Sequence, residues 1–212
     1  TGTTGSGTGV HIDGGGVTMT YAAKDIVING NSVCGCTAVD IFGDTLTATN
    51  SLQINGSAGD IYITDTAISA TAGTVSIMAP QGGIDIYNSS VLATGAISIS
   101  AGNVTPSTLG MDGVAIGLST IASSGGSVSI LGKADDDGYG VSIWGPVQIS
   151  SSSGTTIVGE NVSLGSLTPG VFVQGALSGA GALSIQGTST DVAGVVLSGA
   201  AVTRSAAAPV SL

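Results

Sequence analysis

Short triplets of the form hydrophobic, any residue, hydrophobic recur along the chain, usually after Gly or Asp. Alternation with a period of two is typical of β-strands that are buried on one side. The first residues of successive triplets are 22, 22, 23, 30, 27, 30 and 24 positions apart, which gives a base period of about 22 with insertions in the longer steps. The triplets begin at Val17, Val39, Ile61, Ile84, Val114, Val141, Val171 and Val195.

Each repeat carries two further apolar signals that predict two more short strands. An apolar residue follows the first triplet position after about seven residues, at Leu46, Ile68, Val91, Ile121, Ile149, Leu177 and Val202. A second alternating pair follows after 12 to 14 residues, at Leu52-Ile54, Val75-Ile77, Ile97-Ile99, Val128-Ile130 and Leu183-Ile185, and is blurred near Ile157. Gly, Ser and Asn turns separate these segments, as expected between strands.

Three short strands per repeat predict one coil of a parallel β-solenoid. A single coil cannot bury its inward side chains, so the coils must stack and pair along the backbone. We therefore predict a single all-β domain over residues 1–212, with about eight coils. The alternative is an antiparallel β-sandwich, which also contains many short strands but does not require every third strand to look alike.

Composition narrows the possible functions. The 212 residues include 3 Lys+Arg and 13 Asp+Glu, for a formal charge of −10. Three basic residues cannot neutralise a nucleic-acid backbone, and the acidic balance also disfavours anionic membrane surfaces. No apolar run approaches the ~20 residues of a membrane-spanning helix, so we expect neither a nucleic-acid partner nor membrane insertion. A surface rich in Ser, Thr and Gly is common in secreted β proteins.

Several segments resemble the repeats of filamentous haemagglutinin-type exoproteins. They are GDIYI at 59–63, ISA at 68–70, GTVSIMA at 73–79 and GAISISAG at 95–102. These exoproteins are bacterial surface adhesins of the two-partner secretion kind, built on right-handed parallel β-helices. The resemblance implies a right-handed helix, a secreted or bacterial cell-surface location, and an adhesive or structural role. It also implies that the chain is a segment of a larger surface protein.

The outward positions of the first strand in each repeat contain most of the aromatic residues. Exposed rings flanked by carboxylates suit sugar recognition, because a pyranose can lie on a ring while an acid accepts its hydroxyl hydrogen bonds. They also suit a protein partner, since aromatic residues dominate binding energies. Alternatively, the rings support the sheet as cross-strand neighbours or lie under a loop. The predicted binding residues for a cell-surface glycan or protein are Phe42, Tyr62, Tyr87, Trp144, Phe172, Asp40 and Asp85.

The chain offers few residues for catalysis. Asp40 and Asp85 lie two predicted coils apart, or about 9.6 Å at strand spacing. This is near the upper end of the carboxylate separation in inverting glycosidases, but Tyr62 intervenes and no Arg or Lys lies beside them. His11 is the only histidine and is interpreted as a solvated residue outside any triad or metal site. We therefore predict neither an enzyme nor a cofactor.

Two smaller features of the sequence are a pair of cysteines and an acidic loop. Cys34 and Cys36 are the only cysteines, and in a secreted protein they favour a local disulfide that pins a turn. The acidic loop Asp135–Asp137 could bind Ca²⁺ through its carboxylates, although it lacks the alternating spacing of a known calcium loop. The simpler interpretation is a solvated loop tip, and no metal site is predicted.

A second function is compatible with the same fold. Open solenoid ends expose strand edges that invite stacking. The weakly charged segment at 202–208 shows no obvious cap. End-to-end self-association as a subunit of an extracellular filament is therefore the alternative to an adhesive module.

Overall fold

The computed structural model describes residues 2–4, 8–14, 20–32, 36–102, 112–135, 137–164, 167–204 and 209–212. The regular elements formed by these residues are strands. The described residues therefore include no helix long and apolar enough to cross a membrane. In chain order the described strands are β1 (Gly2–Thr4), β2 (Val10–Asp13), β3 (Thr20–Ser32), β4 (Thr37–Phe42), β5 (Thr45–Gly56), β6 (Asp60–Thr64), β7 (Ala67–Ala70), β8 (Thr74–Ala79), β9 (Ile84–Tyr87), β10 (Ser90–Ala93), β11 (Ile97–Gly102), β12 (Val114–Gly117), β13 (Thr120–Ser123), β14 (Val128–Ala134), β15 (Val141–Trp144), β16 (Val147–Ser151), β17 (Thr155–Asn161), β18 (Val171–Gly179), β19 (Leu183–Ser189), β20 (Val195–Arg204) and β21 (Val210–Ser211).

The strands wind into a β-solenoid in which each coil contributes three strands and therefore three faces. Each strand pairs in parallel with the equivalent strand of the next coil. Face A consists of β2, β4, β6, β9, β12, β15 and the first halves of β18 and β20. Face B consists of the first halves of β3 and β5, then β7, β10, β13, β16 and the second halves of β18 and β20. Face C consists of β1, the second halves of β3 and β5, and β8, β11, β14, β17, β19 and β21.

The predicted β-solenoid is confirmed, and the parallel pairing excludes the antiparallel sandwich. The predicted number of about eight coils is approximate, since the regular stack comprises about six turns. At its two ends the inward residues are only partly buried, as at Val10, Ile12, Val195 and Val202. An end coil has a neighbour on one side alone, so it buries less of its interior surface.

The described residues of all three predicted apolar sets line the interior. In β9, for example, Ile84 and Ile86 are buried, whereas the side chains of Asp85 and Tyr87 point outward. Burying an aliphatic side chain of this size stabilises the fold by about 1.5–3 kcal/mol. In one repeat the second alternating apolar pair is blurred, because the buried residue Thr155 is polar. Its hydroxyl lies 3.4 Å from that of Ser151.

The first coil begins earlier than the sequence pattern predicted. The structure pairs Val10 with Val39 and Ile12 with Ile41. The predicted triplet at Val17 lies outside the described residues. Both triplets alternate in the same way, and a Gly-rich run separates them. Periodicity alone therefore could not decide which one aligns with β4.

The corner between faces A and B is held by buried hydroxyl groups. Thr66, Ser89 and Ser119 each donate a hydrogen bond to the carbonyl oxygen two residues earlier, over 2.6 to 2.8 Å. The hydroxyl oxygens of Ser89 and Ser119 also accept the backbone N–H of the preceding coil's Thr66 and Ser89. This ladder fixes the point at which face A ends. The residues just before the three hydroxyls have left-handed backbone conformations: Asp65, Asn88 and Leu118.

Candidate functional site

Two outward columns run along face A, and they contain every predicted binding residue. The first column is His11, Asp40, Tyr62, Asp85, Ala115, Ser142, Phe172 and Val196. The second is Asp13, Phe42, Thr64, Tyr87, Gly117, Trp144, Gln174 and Ser198. The strand register decides this placement, whereas a role of these residues in binding stays a prediction.

Three aromatic rings form a cluster towards the C-terminal end of face A, at β15 and β18. The rings of Trp144 and Phe172 have centroids 5.2 Å apart, because β15 and β18 are neighbouring strands. Tyr139 stacks on Phe172 at 4.8 Å and meets Trp144 edge-on at 6.0 Å. Such pairs contribute about 0.5–1.5 kcal/mol each beyond area burial. The predicted site lacked Tyr139, whose only sequence signal is its position two residues before β15.

A chain of hydrogen bonds orients the indole ring of Trp144. Its Nε1 donates to the hydroxyl oxygen of Ser142 over 2.9 Å, and this hydroxyl donates to Oδ2 of Asp112. The other oxygen of Asp112 accepts the backbone N–H of Tyr139 over 2.9 Å. Burial raises the pKa of Asp112, and these two hydrogen bonds lower it in part. Asp112 and Ser142 are therefore positioning residues that the outward pattern alone did not single out.

A depression, here called the Gly117 notch, separates Tyr87 from Trp144. In the second column Gly117 lies between these two residues, and it has no side chain to fill the intervening position. A Cβ atom on Gly117 would lie 2.8 Å from Cδ2 of Tyr87, so the tyrosine ring leans over the glycine. The notch has a volume of about 320 Å³. Its lining includes Asp85, Tyr87, Asp112, Ala115, Gly117 and Trp144.

Carboxyl groups make the area around the notch acidic. Burial raises the pKa of Asp85, and the nearby charge of Asp112 raises it further. Burial, followed by the charges of Asp60, Asp85 and Asp40, raises the pKa of Tyr62 to about 12. The phenol of Tyr62 therefore stays neutral at physiological pH. Asp85 is the carboxylate that both borders the notch and belongs to the predicted set.

The predicted aromatic stripe is divided into two parts. Phe42 is exposed near the first coils, and Thr64 separates it from Tyr87 in the second column. His11, interpreted from the sequence as merely solvated, is exposed but has a partner, since its Nδ1 lies 2.9 Å from Oδ2 of Asp40. Asp40 is thereby engaged two coils away from Asp85, with Tyr62 between them. Of the remaining predicted rings, those of Tyr87 and Trp144 border the notch.

The smaller predicted features lie partly outside the described residues. Cys36 is disulfide-bonded. Its predicted partner Cys34 is outside the description, so this pairing stays a prediction. In the acidic loop Asp136 is also outside it. No group of three or more His, Cys, Asp or Glu residues in the described part of the chain is arranged to hold a metal ion.

Comparisons with known proteins return no relative. No protein-family model, no curated protein and no solved structure matches this chain. The resemblance to filamentous haemagglutinin-type exoproteins therefore stays a prediction.

Proposed function

We propose that face A binds a glycan and that the protein is an adhesive module of a secreted or cell-surface bacterial protein. The observation that carries this proposal is the Gly117 notch, with exposed rings at two of its sides and carboxylates in its lining. A pyranose has apolar C–H faces and a rim of hydroxyl groups. It matches a surface where rings and hydrogen-bond acceptors lie next to each other.

The packing of Tyr87 supports binding over mere sheet support. Cross-strand aromatic pairs stabilise a sheet when the rings pack on each other. Tyr139, Trp144 and Phe172 pack in this way. Tyr87 leans over Gly117 instead, and no ring among the described residues packs against it. Its side chain is 47% exposed, which leaves a ring face available to a ligand.

The flatness of a parallel solenoid face suits an extended ligand. Successive coils repeat about every 4.8 Å, so side chains of one column lie at regular intervals along the axis. A linear glycan running along face A meets Tyr87, the notch and Trp144 in order. Shallow, elongated contact of this kind fits adhesion to a polymer better than enclosure of a small molecule. A filament subunit is the alternative function, and a protein ligand is the alternative occupant of face A.

Paired substitutions of exposed hydrophobic residues test this proposal. Trp144 is 38% exposed on face A, and Leu131 is 40% exposed on face C, so Leu131→Ala is a matched control for Trp144→Ala. A glycan array identifies ligands, and calorimetry with the best ligand then measures affinity. We expect Trp144→Ala and Tyr87→Ala each to weaken binding about 30-fold or more, as for a binding hot spot. Leu131→Ala should retain the original affinity.

Thermal unfolding of the same variants separates binding from support. Tyr87→Ala should change the melting temperature little, because the ring touches few neighbours. Retained glycan affinity in both aromatic variants, or the absence of any glycan ligand on the array, would contradict the proposal. Retained affinity together with a large loss of melting temperature would show that the rings support the sheet.

A further inference from the structure

We propose that the Gly117 notch selects an amino sugar with a free ammonium group, which binds the carboxylate of Asp85. This inference rests on the proposed glycan-binding function and names its ligand class. It starts from three properties of the notch: a carboxylate without a hydrogen-bond partner among the described residues, a lining without basic side chains, and an aromatic ring at each of two sides.

Asp85 is the carboxylate of the notch that remains available to a ligand. Both oxygens of Asp112 accept hydrogen bonds, one from the backbone of Tyr139 and one from Ser142. Asp60, on the same face, accepts the backbone N–H of Gly83 over 2.8 Å. Asp85 has no hydrogen-bond partner among the described residues, and it borders the notch directly. An ammonium group placed there would satisfy a partly buried carboxylate that now lacks a donor.

None of the basic residues of the chain lines the notch. The three Lys and Arg residues are Lys24, Lys133 and Arg204, none of them on a strand segment of face A. The ammonium group of Lys133 lies 3.4 Å from Glu160, and Arg204 donates to the carbonyl of Ile149 over 2.5 Å. The imidazole of His11 faces Asp40 and Asp13. Charge complementarity therefore favours a cationic saccharide and disfavours an acidic one.

The two rings fit the same ligand class. The backbones of Tyr87 and Trp144 are separated by two strand spacings, or about 9.6 Å, and the ring of Tyr87 leans over Gly117 between them. A sugar ring in the notch can contact one or both aromatic side chains. A cation close to an aromatic face gains a further electrostatic attraction. The rings thus favour both the apolar face of the sugar and its ammonium group.

Three probes of equal length distinguish the ligand classes: glucosamine oligomers, N-acetylglucosamine oligomers and galacturonate oligomers. The chain has one tryptophan, and it borders the notch, so tryptophan fluorescence reports on this site. At about pH 6 amino groups are protonated and ordinary carboxyl groups are ionised. We expect glucosamine oligomers to bind about tenfold more tightly than the N-acetylated form, and galacturonate oligomers to bind most weakly.

Asp85→Asn tests the assignment of the carboxylate. This substitution should abolish the tenfold preference, because it weakens binding of glucosamine oligomers about tenfold more than binding of N-acetylglucosamine oligomers. Asp25→Asn is the matched control, because Asp25 is an exposed carboxylate on face C and Asn keeps an oxygen that can accept the hydrogen bond from Ser51. The control should keep the preference, although it removes the same formal charge.

The outcomes separate this inference from the function beneath it. Equal binding of the amine and N-acetyl forms, or a preference that persists in Asp85→Asn, overturns the amino-sugar assignment and leaves glycan binding intact. The amino-sugar assignment is also overturned, and glycan binding left intact, if galacturonate oligomers bind most tightly of the three probes. The same holds if none of the three probes binds but another glycan on the array does. Failure of every glycan to bind the wild-type protein overturns the proposed function as well.

Discussion

Face A and face C share one interior but present different exteriors. Both contribute alternating aliphatic residues to the core, such as Ile84 and Ile86 on face A and Ile97 and Ile99 on face C. Their outward columns differ, since those of face A carry aromatic rings and carboxylates. Face C carries a continuous column of hydroxyl side chains, formed by Ser76, Ser98, Ser129, Thr156 and Ser184.

This contrast separates the residues that make the fold from those that could bind a ligand. Inward positions on every face meet the same requirement, which is to fill the column between stacked coils at close packing. Outward positions do not have to fill the interior, so small hydroxyl residues are sufficient to maintain the sheet there. The hydroxyl column of face C is an example. The rings of face A are larger than these small hydroxyl residues, and the proposed binding of a glycan at the notch would account for their placement.

Substitutions of two adjacent residues should show the largest difference. Ile86 is fully buried and Tyr87 is its exposed neighbour on β9. Ile86→Ala should lower the free energy of unfolding by about 2–5 kcal/mol, through lost burial and a residual cavity. Tyr87→Ala should lower it by about 0.5 kcal/mol or less, as at other surface positions. Denaturant unfolding followed by circular dichroism measures both, and similar losses would break the distinction between interior and exterior.

The same substitution on the two faces should have unequal effects. Ser142 is buried on face A and links Asp112 to Trp144, whereas Ser98 stands in the hydroxyl column of face C. Ser142→Ala should cost about 1–3 kcal/mol of unfolding free energy, because it leaves one oxygen of Asp112 without a donor. Ser98→Ala should change stability by about 0.5 kcal/mol at most.

Tryptophan fluorescence provides a second readout for this pair. Loss of the hydrogen bond to Nε1 should shift the emission of Trp144 in the Ser142→Ala protein and leave it unchanged in Ser98→Ala. Unfolding curves that coincide for the two variants, with identical emission spectra, would refute the positioning role of Ser142.

The smallest expected effect concerns the pH dependence of stability. Burial, and then the charge of Asp112, raises the folded-state pKa of Asp85 above its unfolded value of about 3.9. The folded protein therefore takes up this proton more readily than the unfolded chain, and ionised Asp85 destabilises the fold at neutral pH. The penalty is lost as the pH falls through the raised pKa to below about 3.9.

Asp85→Asn should consequently melt at a higher temperature than the wild type near neutral pH. The difference should vanish as the pH falls below about 4, where the wild-type carboxyl is protonated in both states. Scanning calorimetry across this range measures the effect, with Asp25→Asn on face C as the control. A wild-type protein that is the more stable of the two at neutral pH would show that ionised Asp85 does not carry this penalty.

Sequence patterns predicted the interior well and the site only in outline. The inward Val and Ile positions were readable because burial between coils demands an apolar residue at every repeat. The outward columns followed from strand alternation, which placed Tyr87, Trp144 and Asp85 on one face. Tyr139 and Asp112 were not predicted, because they lie outside the regular strands, where no periodicity applies. The first coil was misaligned because two triplets with identical alternation lie on either side of a Gly-rich run.

The sequence by itself determined that the chain stacks as a β-solenoid and which face carries the rings. Both follow from periodicity, since a period of two assigns sides and a period of about 22 assigns coils. Only the tertiary structure decided that the stripe divides at Thr64, that Gly117 opens a notch and that Asp85 has no donor among the residues the structure describes. These properties depend on which side chains of different coils and loops meet, and strand pairing between distant residues sets that.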